Sequence, residues 1–339
     1  MTPAVDLRAA GPASRFGTQD AIEPRTAGPP LPFSMGHGAD GRASTAGSAN
    51  ASVERTGAPA LSVRVARTAG EIEALAEAWT SLEQRTVTPA FFQSYAWCAH
   101  VLRTLQRAPA GAPIQPFVLT AWRDEALVAV WPLQLRRESG ARILTDLTDP
   151  FGQYADVLLA ADAIEDLEHA CRRLLDQARR LSGADALMLR KVRRDTPLGR
   201  VLADAGQVLD EPQRAPYVSM AGFPTFETFL ATTKAKTRKN VRNATHRLQK
   251  LGTVTHRIER RSKHMDAALA HCYDLRSTWL EHRGLTSTAF AHPAFFELVR
   301  GLAAPESHAV DVLSMMLMLD DAPISIHYGF LHNRRYYAF

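Results

Sequence analysis

The sequence, 339 residues long, predicts a mixed α/β (α+β) fold with mostly antiparallel sheets flanked by helices. Three observations carry that expectation. Segments with strict apolar alternation are interspersed with segments whose apolar residues recur at spacings of three and four. Short polar breaks separate adjacent strand-like runs, as hairpin turns do. The order of elements in the C-terminal part resembles the order before it, which suggests two related domains.

Residues 1–58 come first and are rich in Gly, Ala, Pro and Ser. A segment such as GPPLPFSMGHGADGRASTAGSANAS cannot bury enough apolar area to offset its ordering entropy, so it reads as a disordered tail. The alternative is upstream sequence included through a misplaced start codon. His37 within it reads as a solvated residue.

The first domain is expected over 59–221. LSVRVAR alternates as a strand, and Ile72, Leu75, Trp79 and Leu82 mark an amphipathic helix. SYAWCAHVLRTL is a second helix, introduced by FFQ. PFVLTAW and ALVAVWPLQL form a hairpin across Arg123-Asp124-Glu125. ARILTDL and YADVLLA read as strands, Ile164 to Leu181 as a helix, and ALMLRKV and APYVSM as further strands.

The second domain is expected over 222–339. Phe226 to Leu251 reads as helical, TVTHRIE as a strand, and Met265, Leu269, Cys272, Leu275 and Trp279 as a long helix with Gly284 placed to cap it. His292 to Leu302 is another helix. VDVLSMMLMLDDAPISIHYGFLHNRRYYAF then supplies three strands, turning at Asp320-Asp321 and at His332-Asn333-Arg334. The chain stops at Phe339 inside an apolar run, so this domain is expected to be incomplete.

Hydrophobic residues make up 46% and charged residues 22%, the balance of a soluble globular protein. There is no apolar run long enough to span a membrane and no standard secretory signal. Cys98, Cys171 and Cys272 lie far apart on predicted helices, and read as reduced buried thiols in the cytoplasm. No G-x-G-x-x-G follows a strand, and the phosphate-binding, zinc-protease and nucleophile-elbow motifs are missing, as is metal-ligand spacing. Hydride transfer, ATP hydrolysis and zinc proteolysis lose ground.

The net charge is +5, but eleven Lys/Arg and one acidic residue, Glu259, fall between Lys234 and His264. That stretch points to a localised anionic partner. Thr237, Val241, Ala244, Leu248 and Leu251 form an apolar seam along one helix; Lys236, Lys239, Arg247 and Lys250 lie opposite, flanked by Arg238 and Arg242. The seam is expected to pack on a core. The cations could be a solvated face, a site for an anionic substrate or cofactor, or a nucleic-acid arm. Few aromatics are interleaved with them, which weighs against nucleic acid. Two further stretches could carry chemistry. His327 and Tyr328 lie on opposite faces of their strand, and either could transfer a proton; Tyr336 and Tyr337 have a similar status. In TDPFGQYADVLL, a turn enters a strand that carries Tyr154 and Asp156 on one face.

KAKTRKNVRNATHRLQKLGTVTHRIE resembles the start of the second domain in acyltransferases of the GNAT superfamily, in the tandem branch known as CelD-type (cellulose biosynthesis) or BioF-like, itself similar to Fem-type aminoacyl transferases. FFQSYAWCAHVL resembles that branch's opening helix, and APISIHYGFLHNRRYYAF its central hairpin. The resemblance implies tandem GNAT-like domains, acetyl-CoA or another acyl-CoA as donor substrate, no metal, and an amine- or hydroxyl-bearing acceptor in exopolysaccharide or cell-envelope metabolism. Lys236, Arg238, Lys239 and Arg242 match the branch's basic positions and would line a donor or acceptor channel. His327 and Tyr328 are the catalytic candidates. In GNAT domains the strand corresponding to RYYAF leads to the loop that holds the CoA pyrophosphate, and this chain ends before it. Two alternatives stay open: a non-catalytic protein that binds an anionic polymer, and a Fem-like transferase that uses aminoacyl-tRNA.

Overall fold

The structure, a computed structural model, describes residues 61–86, 91–108, 114–206, 214–260, 262, 264–304, 307 and 310–339. The expected tail and His37 lie outside the described residues. Everything below concerns one compact unit, 56–339.

The first sheet follows the apolar alternation. β1 (Ser62–Ala66), β2 (Gln115–Arg123), β3 (Ala126–Glu138) and β4 (Ala141–Asp146) pair antiparallel in that order. Asp124, at φ 53°, turns the β2–β3 hairpin where the charged break predicts it. β5 (Leu158–Leu159) adds to β3, and β6 (Ala186–Leu187) pairs parallel with β4. The strands expected over YADVLLA and ALMLRKV thus shrink to two residues each. APYVSM forms no strand, and Tyr217 is 87% exposed.

The helix expected from Ile72 to Leu82 divides into α1 (Ala69–Glu73) and α2 (Ala76–Glu83), and Thr68 with Glu71 forms a capping box at the start. Ser94 caps α3 (Tyr95–Arg107) after a 3-10 turn, Phe91–Gln93. Asp166 caps α4 (Leu167–Ser182), and Gly183 ends it in the left-handed region. α5 (Pro197–Ala205) was not anticipated; its Thr196 cap and Pro197 in the first turn are the signals for it.

The second sheet is a meander of β7 (Val254–Arg260), β8 (Asp311–Leu319), β9 (Ala322–His332) and β10 (Arg335–Ala338). Both sheets therefore open with a strand, pass through helices, and return as antiparallel strands. α8 (Met265–Arg283) and α9 (Phe295–Ala303) cover the inner face of the second sheet, where Val312, Ser314, Met316 and Phe330 are buried. Gly284 ends α8 at φ 59°, as expected.

The helix expected from Phe226 to Leu251 is broken at Thr233-Lys234 into α6 (Phe226–Thr232) and α7 (Ala235–Gln249). The seam of α7 is not in a core. The helix buries no residue, and Val241 and Leu251 are 36% and 71% exposed. The inner face of the sheet is already occupied by α8 and α9, so α7 lies beside the edge strand β7.

The apolar C-terminal run has its own partners. Phe339 packs on Phe295, Trp97 and Phe330, and Phe91 stacks on Phe330 at 4.8 Å. His100 on α3 bonds the Leu298 carbonyl of α9 at 3.0 Å. These contacts join the two sheets through one aromatic core.

Candidate active site

Strand alternation decides which candidates face outward. Paired residues share a face, so Met315, His327 and Ile258 form one row on the outer side of the second sheet. Ser314 and Tyr328 form the adjacent row on the inner side. The expectation that His327 and Tyr328 oppose each other is met. His327 is exposed; Tyr328 is buried, and its ring touches Phe330 and Phe339. Burial pushes the Tyr328 hydroxyl above its ordinary pKa. Of the two proton-transfer candidates, Tyr328 is the one packed into the aromatic core, away from the open face.

His327 is joined by Tyr336, whose hydroxyl lies 2.8 Å from the His327 Nδ1. Tyr336 pairs with Leu331, two rungs along the sheet, and its ring reaches back across Gly329. A Cβ on Gly329 would sit 2.7 Å from the Tyr336 Cζ and 2.2 Å from the Tyr337 carbonyl oxygen. The absent side chain is thus what lets the ring cross the face. Partial burial lowers the pKa of His327 and raises that of Tyr336. At neutral pH the pair is an imidazole and a phenol. The Tyr336 hydroxyl can donate to Nδ1 or accept from Nδ1–H; in the second tautomer Nε2 has its lone pair free, the state a general base requires.

The four basic candidates separate. Arg238 donates to the carbonyls of Ala231 and Thr233, so it ties the end of α6 to α7. Lys236, Lys239 and Arg242 are exposed and make no ion pair among the described residues. They are the members of the set that can meet an anion. Neither of the two cavities described here is lined by α7.

One of those cavities is small and sits at the loop after β4. Asp146, Asp149, Tyr154 and Lys191 line it. Asp146 is buried, its Oδ1 accepting from the Thr148 amide at 2.8 Å and hydroxyl at 2.7 Å. Desolvation pushes its pKa up to about 7, and that of buried Asp156 up to about 6. Thr148 leaves no room for a side chain at Gly152, where a Cβ would lie 2.5 Å from its hydroxyl. The same loop reaches the second sheet, with Gln153 donating to the Ala338 carbonyl at 2.9 Å and Phe151 stacked near Phe295. Tyr154 and Asp156 do not meet in one site: Tyr154 lines the cavity, and Asp156 accepts from the Val157 amide at 2.9 Å.

The other cavity, about 280 Å³, lies between α2, the Phe91–Gln93 turn and the adjoining ends of β8 and β9. Glu83, Phe91, Val310, Asp311, Leu331 and His332 are among its walls. Sequence reasoning missed it, because residues more than two hundred positions apart form it. Among the described residues no cluster of His, Cys, Asp and Glu could hold a metal ion, and no helix is long and apolar enough to cross a membrane.

No curated protein matches the chain in sequence. Among solved structures it is similar to a ribosomal-protein-alanine N-acetyltransferase from Brucella melitensis biovar Abortus 2308, at 15% identity and a TM-score of 0.30, over 47% of this chain and 99% of that one. It is also similar to a conserved protein of unknown function from Bacteroides thetaiotaomicron VPI-5482, at 11% identity and a TM-score of 0.35, over 79% of this chain and 75% of that one. The segment that carries α7, the second sheet and the His327–Tyr336 pair, residues 235–339, matches the family model Acetyltransf_6, the acetyltransferase (GNAT) domain.

Proposed function

We propose that the protein is an acyl-CoA-dependent N- or O-acyltransferase with His327 as its general base. The observation that carries this reading is the 2.8 Å bond between Tyr336 and the His327 Nδ1, on the open face of the segment that matches the acetyltransferase domain. The donor supplies an acyl group held as a thioester; as the acceptor bonds to the carbonyl carbon the C–S bond breaks, and CoA leaves as the thiolate and is protonated to the free thiol. His327 Nε2 accepts the proton that the acceptor's amine or hydroxyl releases as it attacks, and Nδ1–H to Tyr336 holds the ring in the tautomer that can do so. Tyr336 is a positioning residue. Lys236, Lys239 and Arg242 draw in the phosphate-bearing donor by charge, with Arg238 holding their helix in place. The setting, on the resemblance to the CelD-type branch, is cytoplasmic exopolysaccharide or cell-envelope metabolism.

The test is acetyl-CoA turnover against a panel of primary amines and alcohols, followed as free thiol. His327→Gln should lower kcat by about 10²–10⁴, the usual weight of a positioned base. Tyr336→Phe should lower it less and alter the pH profile. Unchanged kcat in His327→Gln rejects the base assignment. Absence of saturable acetyl-CoA binding, together with tight binding of an anionic polysaccharide, would favour the non-catalytic alternative.

A further inference from the structure

The cavity beside Glu83 has a chemistry that the acyl-transfer reading leaves unused. Glu83, on α2, accepts one hydrogen bond among the described residues, from the Tyr95 amide at 2.7 Å. No cation among the described residues pairs with it. The other carboxylate in the wall, Asp311, is already neutralised by Arg260, whose Nε lies 2.9 Å from Oδ1. His332 offers no competing positive charge, since burial lowers its pKa, and its Nε2 lies 3.2 Å from the Asn333 amide nitrogen. Phe91, Ala96, Val310 and Leu331 give the wall an apolar part, and Thr80, Ser94 and Asn333 add neutral polar groups beside it. The volume, about 280 Å³, is near the lower end for small-molecule sites, roughly 300 Å³ and upward.

An anion in this space would meet Glu83 without compensation. A neutral apolar guest would leave that carboxyl desolvated and unpaired. A cation set on an apolar body satisfies both kinds of wall. The location adds a second constraint. Asp311, Leu331 and Tyr336 are paired across the outer face of the sheet, the face that carries His327. Leu331 is four strand positions from His327, about 13 Å. Val310 and His332 in the same wall have the parity of the covered face, so the cavity lies at the end of the sheet, and a molecule anchored at Glu83 reaches the imidazole by passing round that end onto the open face.

We infer that this cavity anchors the acceptor through a protonated amine carried on an apolar body, with Glu83 as its counter-ion. Its identity as the acceptor site rests on the acyl-transfer reading; the preference for an ammonium does not. The anchored amine is not the attacking group. Held as an ammonium by Glu83 it has no lone pair, so the nucleophilic nitrogen or oxygen is elsewhere on the molecule, at the His327 end.

The test is calorimetry on the full chain at pH 8, with n-hexylammonium chloride as probe and 1-hexanol as its neutral counterpart. The wild type should bind the ammonium saturably and the alcohol at least tenfold more weakly. Glu83→Gln, which keeps an acceptor for the Tyr95 amide, should weaken ammonium binding at least tenfold. Thr80→Lys puts a cation one helical turn from Glu83. It should abolish probe binding while raising the melting temperature, a result that unfolding cannot mimic. Equal affinity of wild type and Glu83→Gln for the ammonium overturns the inference, as does equal affinity of the wild type for ammonium and alcohol. Parallel titration with acetyl-CoA keeps the two readings apart. Acetyl-CoA binding without ammonium binding sinks the anchoring site alone. Ammonium binding without acetyl-CoA binding sinks the acyl-transfer reading, and with it the assignment of the ligand as acceptor.

Discussion

Asp146→Asn should make the protein more stable above neutral pH. The Asp146 side chain closes β4 at 5% exposure, and its Oδ2 has no hydrogen-bond partner. Gln93 lies within hydrogen-bonding reach of it, yet the Gln93 Oε1 is also unpartnered, because its amide nitrogen donates to the Tyr154 carbonyl at 2.6 Å. Desolvation outweighs the hydrogen bonds from Thr148 and the Gln93 side chain, which pull the Asp146 pKa down. Burial raises the Asp146 pKa from 3.8 to about 7. At 1.36 kcal/mol per pKa unit, a rise of about three units corresponds to about 4 kcal/mol. The sign follows from the direction. A carboxyl whose pKa is raised on folding contributes its full share of stability below pH 3.8, and that share is lost as pH rises through about 7. Asparagine keeps Oδ1 for Thr148 and has no charge to desolvate. Urea unfolding of both proteins at pH 5, 6, 7 and 8 isolates this group, since the other titrating carboxyls cancel in the difference. The variant's advantage should grow by about 3 kcal/mol from pH 5 to pH 8. A difference that stays flat over that range refutes the reasoning.

Three further outcomes follow from the geometry. Gly329→Ala should cost about 2 kcal/mol or more in chemical denaturation, because the new Cβ meets backbone at 2.2 Å, and it should lower kcat by pushing Tyr336 off His327. Reversing Lys236, Lys239 and Arg242 together to Glu should raise KM for acetyl-CoA and flatten its salt dependence, measured between 20 mM and 300 mM NaCl, with little change in melting temperature, since these side chains are exposed. A maleimide should label native protein at Cys272 before Cys98 or Cys171: the latter two are fully buried, burial pushes the Cys171 thiol up to about 12, and that of Cys98 rises well above its ordinary value. Mass spectrometry of timed aliquots reads the order.

Much of the backbone was legible from local rules. Alternation located β1–β4 and β7–β10 because each residue's face follows from its parity along the strand. Asp124 and Asn333, both at positive φ, stand where polar breaks mark tight turns, and Gly284 ends its helix as a residue without Cβ does. Parity also separated His327 from Tyr328. It could not say which side of the sheet would be covered; that depends on where α8 and α9 settle, and they took the Tyr328 side. The α7 seam has helical spacing but nothing to bury against, because periodicity measures a helix's own pattern and not the surface beside it. APYVSM has strand-like composition yet pairs with no strand among the described residues, since composition does not supply a partner.

The sequence by itself determined the mixed α/β class, most elements, the hairpin turns and the concentration of charge on one helix, because these depend on neighbours within a few residues. The tertiary structure decided which groups meet: Tyr336 on His327 across the space a glycine leaves, Arg238 spent on backbone carbonyls, Asp146 buried against Gln93, and Glu83 facing a cavity closed by residues from the far end of the chain. Such contacts depend on how helices and sheets pack, and packing is a property of the assembled surfaces rather than of any local pattern.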